Sequence, residues 1–447
     1  MADAAFSFSQ GQLQDVANRV LALAREGGAT ACEVDVSEAC GQSVNVRLGQ
    51  IETLEYNQDK GATVTVYVGQ QKGHASTSDF GSEALKDTVK AALAIARYTG
   101  ADPCAGLADP ALLAASFPDL DLYHPWALSA EDAIEMACRC EDAARAVDPR
   151  ISNSEGAGVS TQTSHFVYAN SNGFLAGYPG SRHSLSAAVI ASENGAMQRD
   201  YWFTSARASE DLDDAVSVGR RAGERALRRL GAKSVKTGNY PVLFEAPIAS
   251  SLIGHLVSAV SGASLYRKST FLLDTLGKPV MAACMHIDED PFVPRGLASG
   301  AFDSEGVATR ARRLVDGGVL GGYFLGSYSA RKLGMQSTGN AGGSHNLIVH
   351  DTGESFEAML ARMGTGLLVT ELMGHGLNLV TGDYSRGAAG FWVENGVIVY
   401  PVEEITIAGN LADMFQAIEA VGTDCLTRGG KRCGSILVGS MTVAGSH

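Results

Sequence analysis

Apolar residues recur along this chain first at helical and then at alternating spacing, and the cycle runs twice before residue 230. Ser9 and Gln12 form a capping-box pattern ahead of Leu13, Val16, Ala17, Val20, Leu21 and Ala24, which predicts a helix up to Gly27-Gly28. From Ala31 to Ser78 the pattern alternates, clearest in Thr63-Val64-Thr65-Val66-Tyr67-Val68, and glycines punctuate it as in an antiparallel meander. A second helix is predicted from about Ser82 to Tyr98, with Leu85, Val89, Leu93 and Ala96 on one face. After a link containing Pro103, Pro110, Pro118 and Pro125 the order repeats. Ser129 and Asp132 open a helix to about Val147, and residues 156–207 alternate around the hairpin signals Asn172-Gly173 and Asn194-Gly195. Ser209 then caps a helix that is acidic at its start and basic at its end. Residues 1–230 are therefore expected to form an N-terminal domain of two helix–meander–helix units, about 9–98 and 129–230.

Residues 235–447 predict a different, Gly-rich and β-rich antiparallel C-terminal domain, so the fold class is α+β. Residues 241–245 form a short strand, Pro247 suits the first turn of a helix through Val260, and Val280 to Asp288 is a strand. Asp316-Gly317 and Asn395-Gly396 mark hairpins. Asn410 caps a last helix whose buried face is Leu411, Met414, Phe415, Ile418 and Val421.

Composition narrows the function. The 447 residues are 45% hydrophobic and 19% charged, with a net charge of −14, which excludes disorder and disfavours contact with a phosphate backbone. No long Lys/Arg-rich run appears; two short pairs, Arg220-Arg221 and Arg228-Arg229, fall on one helical stretch. No apolar stretch is long enough to span a bilayer, and the first ten residues lack a secretory pattern, so no membrane association and a cytoplasmic location are expected. Eight scattered cysteines without a C-x-x-C pair fit reduced thiols.

No H-E-x-x-H, G-x-S-x-G or P-loop pattern occurs. Within its apolar helix, His255 reads as a hydrogen-bonded packing histidine, and Cys284-Met285-His286 as part of a core strand. His345, His350 and His375 fall in turn-rich sequence that suits surface positions. Thr381 to Ala388 contains Asp383, Tyr384, Ser385 and Arg386. It is either a polar turn with Asp383 and Arg386 paired, or a loop lining a substrate cleft.

Several segments together resemble the TldD/PmbA peptidase family, in its PmbA, or TldE, branch. They are Ser264 to Ser269, Gly296 to Ser299, Phe302 to Gly306, Ser337 to Asn340, Gly382 to Gly387 and Pro401 to Asn410. The resemblance implies a two-protein peptidase whose TldD-type chain carries zinc on an H-E-x-x-x-H helix, with a C-terminal cysteine as third ligand. Laid on this sequence, the motif puts Ser250 and Ser251 at the first His and the Glu, His255 at the second His, and Cys433 at the cysteine. One ligand and the general base are missing, and a serine hydroxyl cannot act as that base at neutral pH. The resemblance thus implies a chain without its own metal or catalytic residues, partnered with a zinc-bearing TldD-type subunit on unfolded peptides, or a homodimer when that partner is absent. Two alternatives stay open. The chain could be a self-sufficient metallopeptidase with His286 or His375 completing a site, or a regulatory partner of DNA gyrase acting through protein contact.

Overall fold

The structure is a computed structural model describing residues 6–445. Residues 1–5 and 446–447, the outer ends of the two expected domains and the start of the segment read for a leader, lie outside the described residues.

The N-terminal half contains α1 (Gln10–Glu26), β1 (Ala31–Arg47), β2 (Gln50–Val68), β3 (Gln71–Thr77) and α2 (Ser82–Tyr98), followed by α3 (Ala130–Arg145), β4 (Asn153–Asn170), β5 (Leu175–Ala176), β6 (Pro179–Glu193), β7 (Ala196–Ala206) and α4 (Ala215–Arg228). The two units share one antiparallel sheet, ordered β3-β2-β1-β4-β6-β7, with β5 beside β4. Its middle seam pairs β1 with β4 from Glu33↔Asn170 to Val46↔Ala157. Val34, Val36, Val44 and Val46 share a face by the two-residue repeat, so all four long helices cover one side of the sheet. α1 and α2 pack Leu13, Val20, Leu85 and Leu93 over the first unit, and α3 and α4 pack Ala137, Cys140, Val218 and Ala222 over the second. β3 pairs only with residues 62–68 of β2, so residues 50–61 have no outer strand partner among the described residues.

The C-terminal half begins with β8 (Gly238–Phe244), α5 (Ala246–Ala259), α6 (Gly262–Tyr266), β9 (Ile287–Asp290), β10 (Arg312–Asp316), β11 (Val319–Leu320), α7 (Ser327–Lys332), β12 (Asn346–Val349) and α8 (Phe356–Met363). It continues with β13 (Gly366–Met373), β14 (Leu377–Asn378), β15 (Asp383–Glu394), β16 (Val397–Asn410), α9 (Leu411–Gln416), β17 (Ile418–Val421), β18 (Leu426–Arg428), β19 (Lys431–Cys433) and β20 (Ile436–Ala444). One sheet runs β11-β10-β9-β12-β19-β18. The other runs β13-β8-β20-β16-β15-β14, and a further β13–β15 pairing closes five of its strands into a ring. Val242 and Phe244 face Leu252, Ile253 and Leu256 of α5, while Leu243 between them faces Met359, Leu360 and Met363 of α8. The α+β class and the duplicated units stand as expected.

Four expectations are corrected. The C-terminal sheets are mixed, because β8–β13 and β12–β19 are parallel pairs, each joined by a long excursion that lets both strands run the same way. Val280 to His286 is not a strand; the backbone N–H groups of Val280 and Met281 donate to Gly318, and that of Ala282 to Phe415, so only Ile287 onward pairs. Ser209 starts a single 3-10 turn, and Asp214 caps α4 instead by accepting from the Ser217 N–H at 3.0 Å. α9 stops at Gln416, and Ile418 and Val421 belong to β17, paired with β20. No helix among the described residues is long and apolar enough to cross a membrane.

The halves are pinned together by charge. Arg295 reaches Asp121 at 2.7 Å, Asp211 at 3.0 Å and Glu210 at 3.1 Å. Arg225 of α4 joins Asp200 on β7 to Glu245 at the start of α5, at 3.2 and 2.9 Å.

Candidate functional site

β8 ends at Phe244, and Pro247 then sits in the first turn of α5, where its missing N–H would have had no helical partner. Ser435, fully buried on the adjacent strand connection, accepts the Ala246 N–H at 2.9 Å and donates to Asp424 at 2.6 Å. This fixes the direction of α5. Ser251 and His255, four residues apart, stand one above the other on the helix.

His255 meets the Tyr384 ring edge-on, with centroids 5.9 Å apart. Its Nε2 is buried and has no hydrogen-bond partner among the described residues, so the expected satisfied core histidine is corrected. Burial, and secondarily the Arg386 guanidinium, hold its pKa below the ordinary 6.5. In an NMR titration of the imidazoles, the His255 midpoint should therefore fall below 6.5, and Arg386→Gln should move it upward. Since the unfolded chain accepts that proton more readily, this site loses stability as the pH falls through 6.5. Burial pushes the Tyr384 hydroxyl up to about 12.

The four residues of the polar segment separate. Asp383 accepts from the Thr381 hydroxyl at 2.6 Å and from the Asn410 amide at 3.3 Å, tying down the end of the β15–β16 pair, and makes no ion pair with Arg386. Ser385 is exposed. Tyr384 and Arg386 share the opposite face; Tyr384 backs onto His255, and Arg386 reaches a cleft. That cleft, about 420 Å³, lies between β7 and α4 on one side and α5, β13, β15 and the β18–β19 hairpin on the other. Ser250 and Ser251 line it, with the Ser251 hydroxyl buried in the wall.

These residues do not fit a zinc ion. His255 and Cys433 supply two donor side chains where a tetrahedral site needs three or more, and no group of three His, Cys, Asp or Glu among the described residues is placed to hold a metal. Cys433 is wholly buried, its Sγ 3.1 Å from the Gly434 carbonyl, and burial pushes its thiol strongly upward, away from the thiolate a metal requires. His286, read as core, is instead on the surface beside Asp316 at 2.9 Å, and His375 lies in the exposed β13–β14 turn. Neither joins a metal cluster with His255 and Cys433.

Sequence reasoning missed most of the cleft wall, which includes Asp200, Trp202, Arg225, Thr370, Arg428 and Lys431. The cations carry no joint signal in the sequence: Arg225 stands between the Arg220-Arg221 and Arg228-Arg229 pairs, and Arg428 and Lys431 lie about 200 residues further on.

Residues 237–445 match the PmbA/TldA metallopeptidase C-terminal domain, residues 123–230 its central domain and residues 32–96 its domain 1. The chain is 51% identical over 433 residues to metalloprotease PmbA of Escherichia coli O157:H7, covering 97% of this chain and 96% of that protein. A crystal structure from Bacteroides thetaiotaomicron, of a protein described as a candidate modulator of DNA gyrase, superposes with a TM-score of 0.92 at 29% identity, over 97% of this chain and 99% of that one. TldE from Thermococcus kodakarensis shares the fold, with a TM-score of 0.81 at 20% identity over 96% and 100% of the two chains. With matched domains across most of its length and a relative sharing half its residues, this chain belongs to the PmbA/TldD metallopeptidase family.

Proposed function

We propose that this chain is the TldE-like subunit of a cytoplasmic two-protein metallopeptidase, carrying no zinc itself, and that a TldD-type partner supplies the metal and the general base. The observation behind the reading is Ser250 and Ser251 on the cleft wall, where the family resemblance places a ligand and a base. Hydroxyls there can donate to and accept from a peptide backbone but do not take a proton from water at neutral pH. The role left to this chain is to wall the cleft, order the catalytic partner and help hold an unfolded peptide extended, with a strand edge offering backbone pairing. Without the partner, a homodimer would occupy the same contacts.

The test combines metal analysis with a digestion assay. Purified alone without chelator, the chain should contain near-zero zinc by inductively coupled plasma mass spectrometry and leave an unfolded peptide intact. Adding a TldD-type chain should start hydrolysis. One zinc per chain, or digestion by this chain alone at a rate the partner does not change, would sink the proposal in favour of the self-sufficient enzyme. The Bacteroides relative's description supports a second reading, a regulator acting by contact with gyrase. Co-purification with gyrase in place of a TldD-type chain would favour it.

A further inference from the structure

The cleft beside α5 is positively charged in a protein whose net charge is −14. Arg225, Arg386, Arg428 and Lys431 line it against two carboxylates, and both carboxylates are already engaged. Asp200 accepts from Arg225 at 3.2 Å, and Glu371 is 2.5 Å from Arg229. Arg386, Arg428 and Lys431 form no ion pair among the described residues. Arg428 and Lys431 are direct cross-strand partners in the β18–β19 hairpin, so two like charges stand side by side on one face, an arrangement that is unfavourable unless an anion lies between them.

The polar atoms left over point the same way. Thr370, only 6% exposed, lines the cleft and has an unpartnered, buried Oγ1, and the Ser251 hydroxyl and the Nε atoms of Arg386 and Arg428 are likewise buried without partners. Arg428 is oriented by its donation to the Phe203 carbonyl at 2.7 Å and by stacking 3.9 Å from the Phe203 ring and 4.4 Å from Trp202. Burial, with Arg221 and Arg225 nearby, lowers its guanidinium to about 10, as expected for a cation without a counter-ion. Two guanidinium groups and an ammonium make a donor-only set that suits an acceptor-only anion, and guanidinium matches a planar carboxylate through paired N–H bonds. Trp202, Ile248 and Leu372 supply an apolar wall next to the cations, and the engaged Asp200 and Glu371 penalise a dianion such as phosphate more than a single carboxylate.

We infer that this cleft binds the free C-terminal carboxylate of a peptide, seated on Arg386, Arg428 and Lys431, with the last side chain against Trp202 and Leu372. The inference rests on the peptide-handling reading above and adds which end of the peptide this chain grips. A carboxylate anchor here would hold short peptides and cleavage products, which carry a nearby terminus, in preference to the interior of a long chain.

Fluorescence anisotropy with the full chain tests it. The probe is an N-terminally fluorescein-labelled pentapeptide ending in leucine, as the free acid and as the carboxamide. The free acid should bind about tenfold tighter or more, the usual scale for a charge-assisted hydrogen-bonded pair. Lys431→Met, at the rim, and Arg386→Gln should each remove most of that difference while the thermal melt stays in place. Equal binding of acid and amide would overturn the inference. So would displacement of the probe by inorganic phosphate at lower concentration than by N-acetyl-leucine, which would make the cleft a phosphate site. Equal binding leaves the subunit reading intact, since that stands on zinc content and partner-dependent hydrolysis. Digestion by this chain alone would remove the subunit reading and leave the acid–amide comparison to decide the anchor.

Discussion

Gly219→Val should lower the stability of the chain by about 3 kcal/mol or more, beyond ordinary overpacking, because the change pushes two helix backbones apart. A Cβ at Gly219 would lie 1.9 Å from the Cys140 carbonyl oxygen, and one at Gly223 would lie 2.3 Å from that of Ala144. α3 and α4 meet along a strip of small residues, with Ala137, Cys140 and Ala144 on one helix and Ala215, Ala222 and Ala226 on the other. Nothing flexible is there to yield. Urea denaturation followed by circular dichroism reads the loss, and Gly223→Val should behave alike. Gly11→Ala is the contrasting control. Its Cβ would meet only Ser9 Oγ at 3.9 Å, in an exposed helical turn, so it should stabilise by up to about 1 kcal/mol. A neutral Gly219→Val would mean that the two helices do not pack this closely.

Glu289→Ala should cost about 3–5 kcal/mol, the scale seen when one member of a buried ion pair is removed. Glu289 is 1% exposed on β9 and collects Arg312 at 2.7 Å, the Asn340 amide at 2.7 Å, and the N–H and ring of His345 at 2.8 and 3.1 Å. Burial alone would raise its pKa, but the His345 and Arg312 contacts outweigh it and hold the carboxyl at about 2, against an ordinary 4.5. A depressed carboxyl contributes stability that is complete above about pH 4.5 and fades as the pH falls toward 2. The wild-type chain should lose about 3 kcal/mol from this group over that window. In Glu289→Gln that acid-dependent component should vanish. Chemical denaturation at a series of pH values measures both, and an unchanged acid slope in the variant would refute the assignment.

Elements whose stability is local were legible in the sequence. α1 shows its capping box and its apolar stripe, and the Asn194-Gly195 and Asn395-Gly396 turns sit between strands that pair directly across them. Where a distant partner decides, the pattern misleads. Val280, Met281 and Met285 are buried as a strand's residues would be, yet they dock onto the Gly317-Gly318 turn and Phe415. Ile418 and Val421 continue the helical spacing of α9, but pairing with Val438 and Ile436 of β20 claims them. Ser209 and Asp214 are both competent caps, and only Asp214 has a following turn free to start a helix.

The candidate site was legible in one part only. Ser250, Ser251 and His255 stand out once the family motif is laid on the chain, whereas Trp202, Arg225, Thr370 and Arg428 come from separate strands and helices with no spacing to join them. The quoted family segments also do structural work. Asn340 of Ser337 to Asn340 bonds Glu289, and Asp303 of Phe302 to Gly306 accepts the N–H groups of Glu305, Val307 and Ala341. Burial still pushes Asp303 up to about 6.

The uncovered length of β2 bears on how the chain keeps at high concentration. A bare strand edge is a template on which a second copy can zip, and Ile51, Leu54 and Tyr56 there are 54%, 42% and 66% exposed, enough to make such stacking adhesive. Glu52, Glu55 and Asp59 interrupt the same stretch, with Lys60 the only cation among them. Two molecules meeting edge to edge would bring these acids together, so the strand repels its own copy electrostatically. That guard weakens as salt screens it, which makes dilute-salt buffers the kinder storage condition.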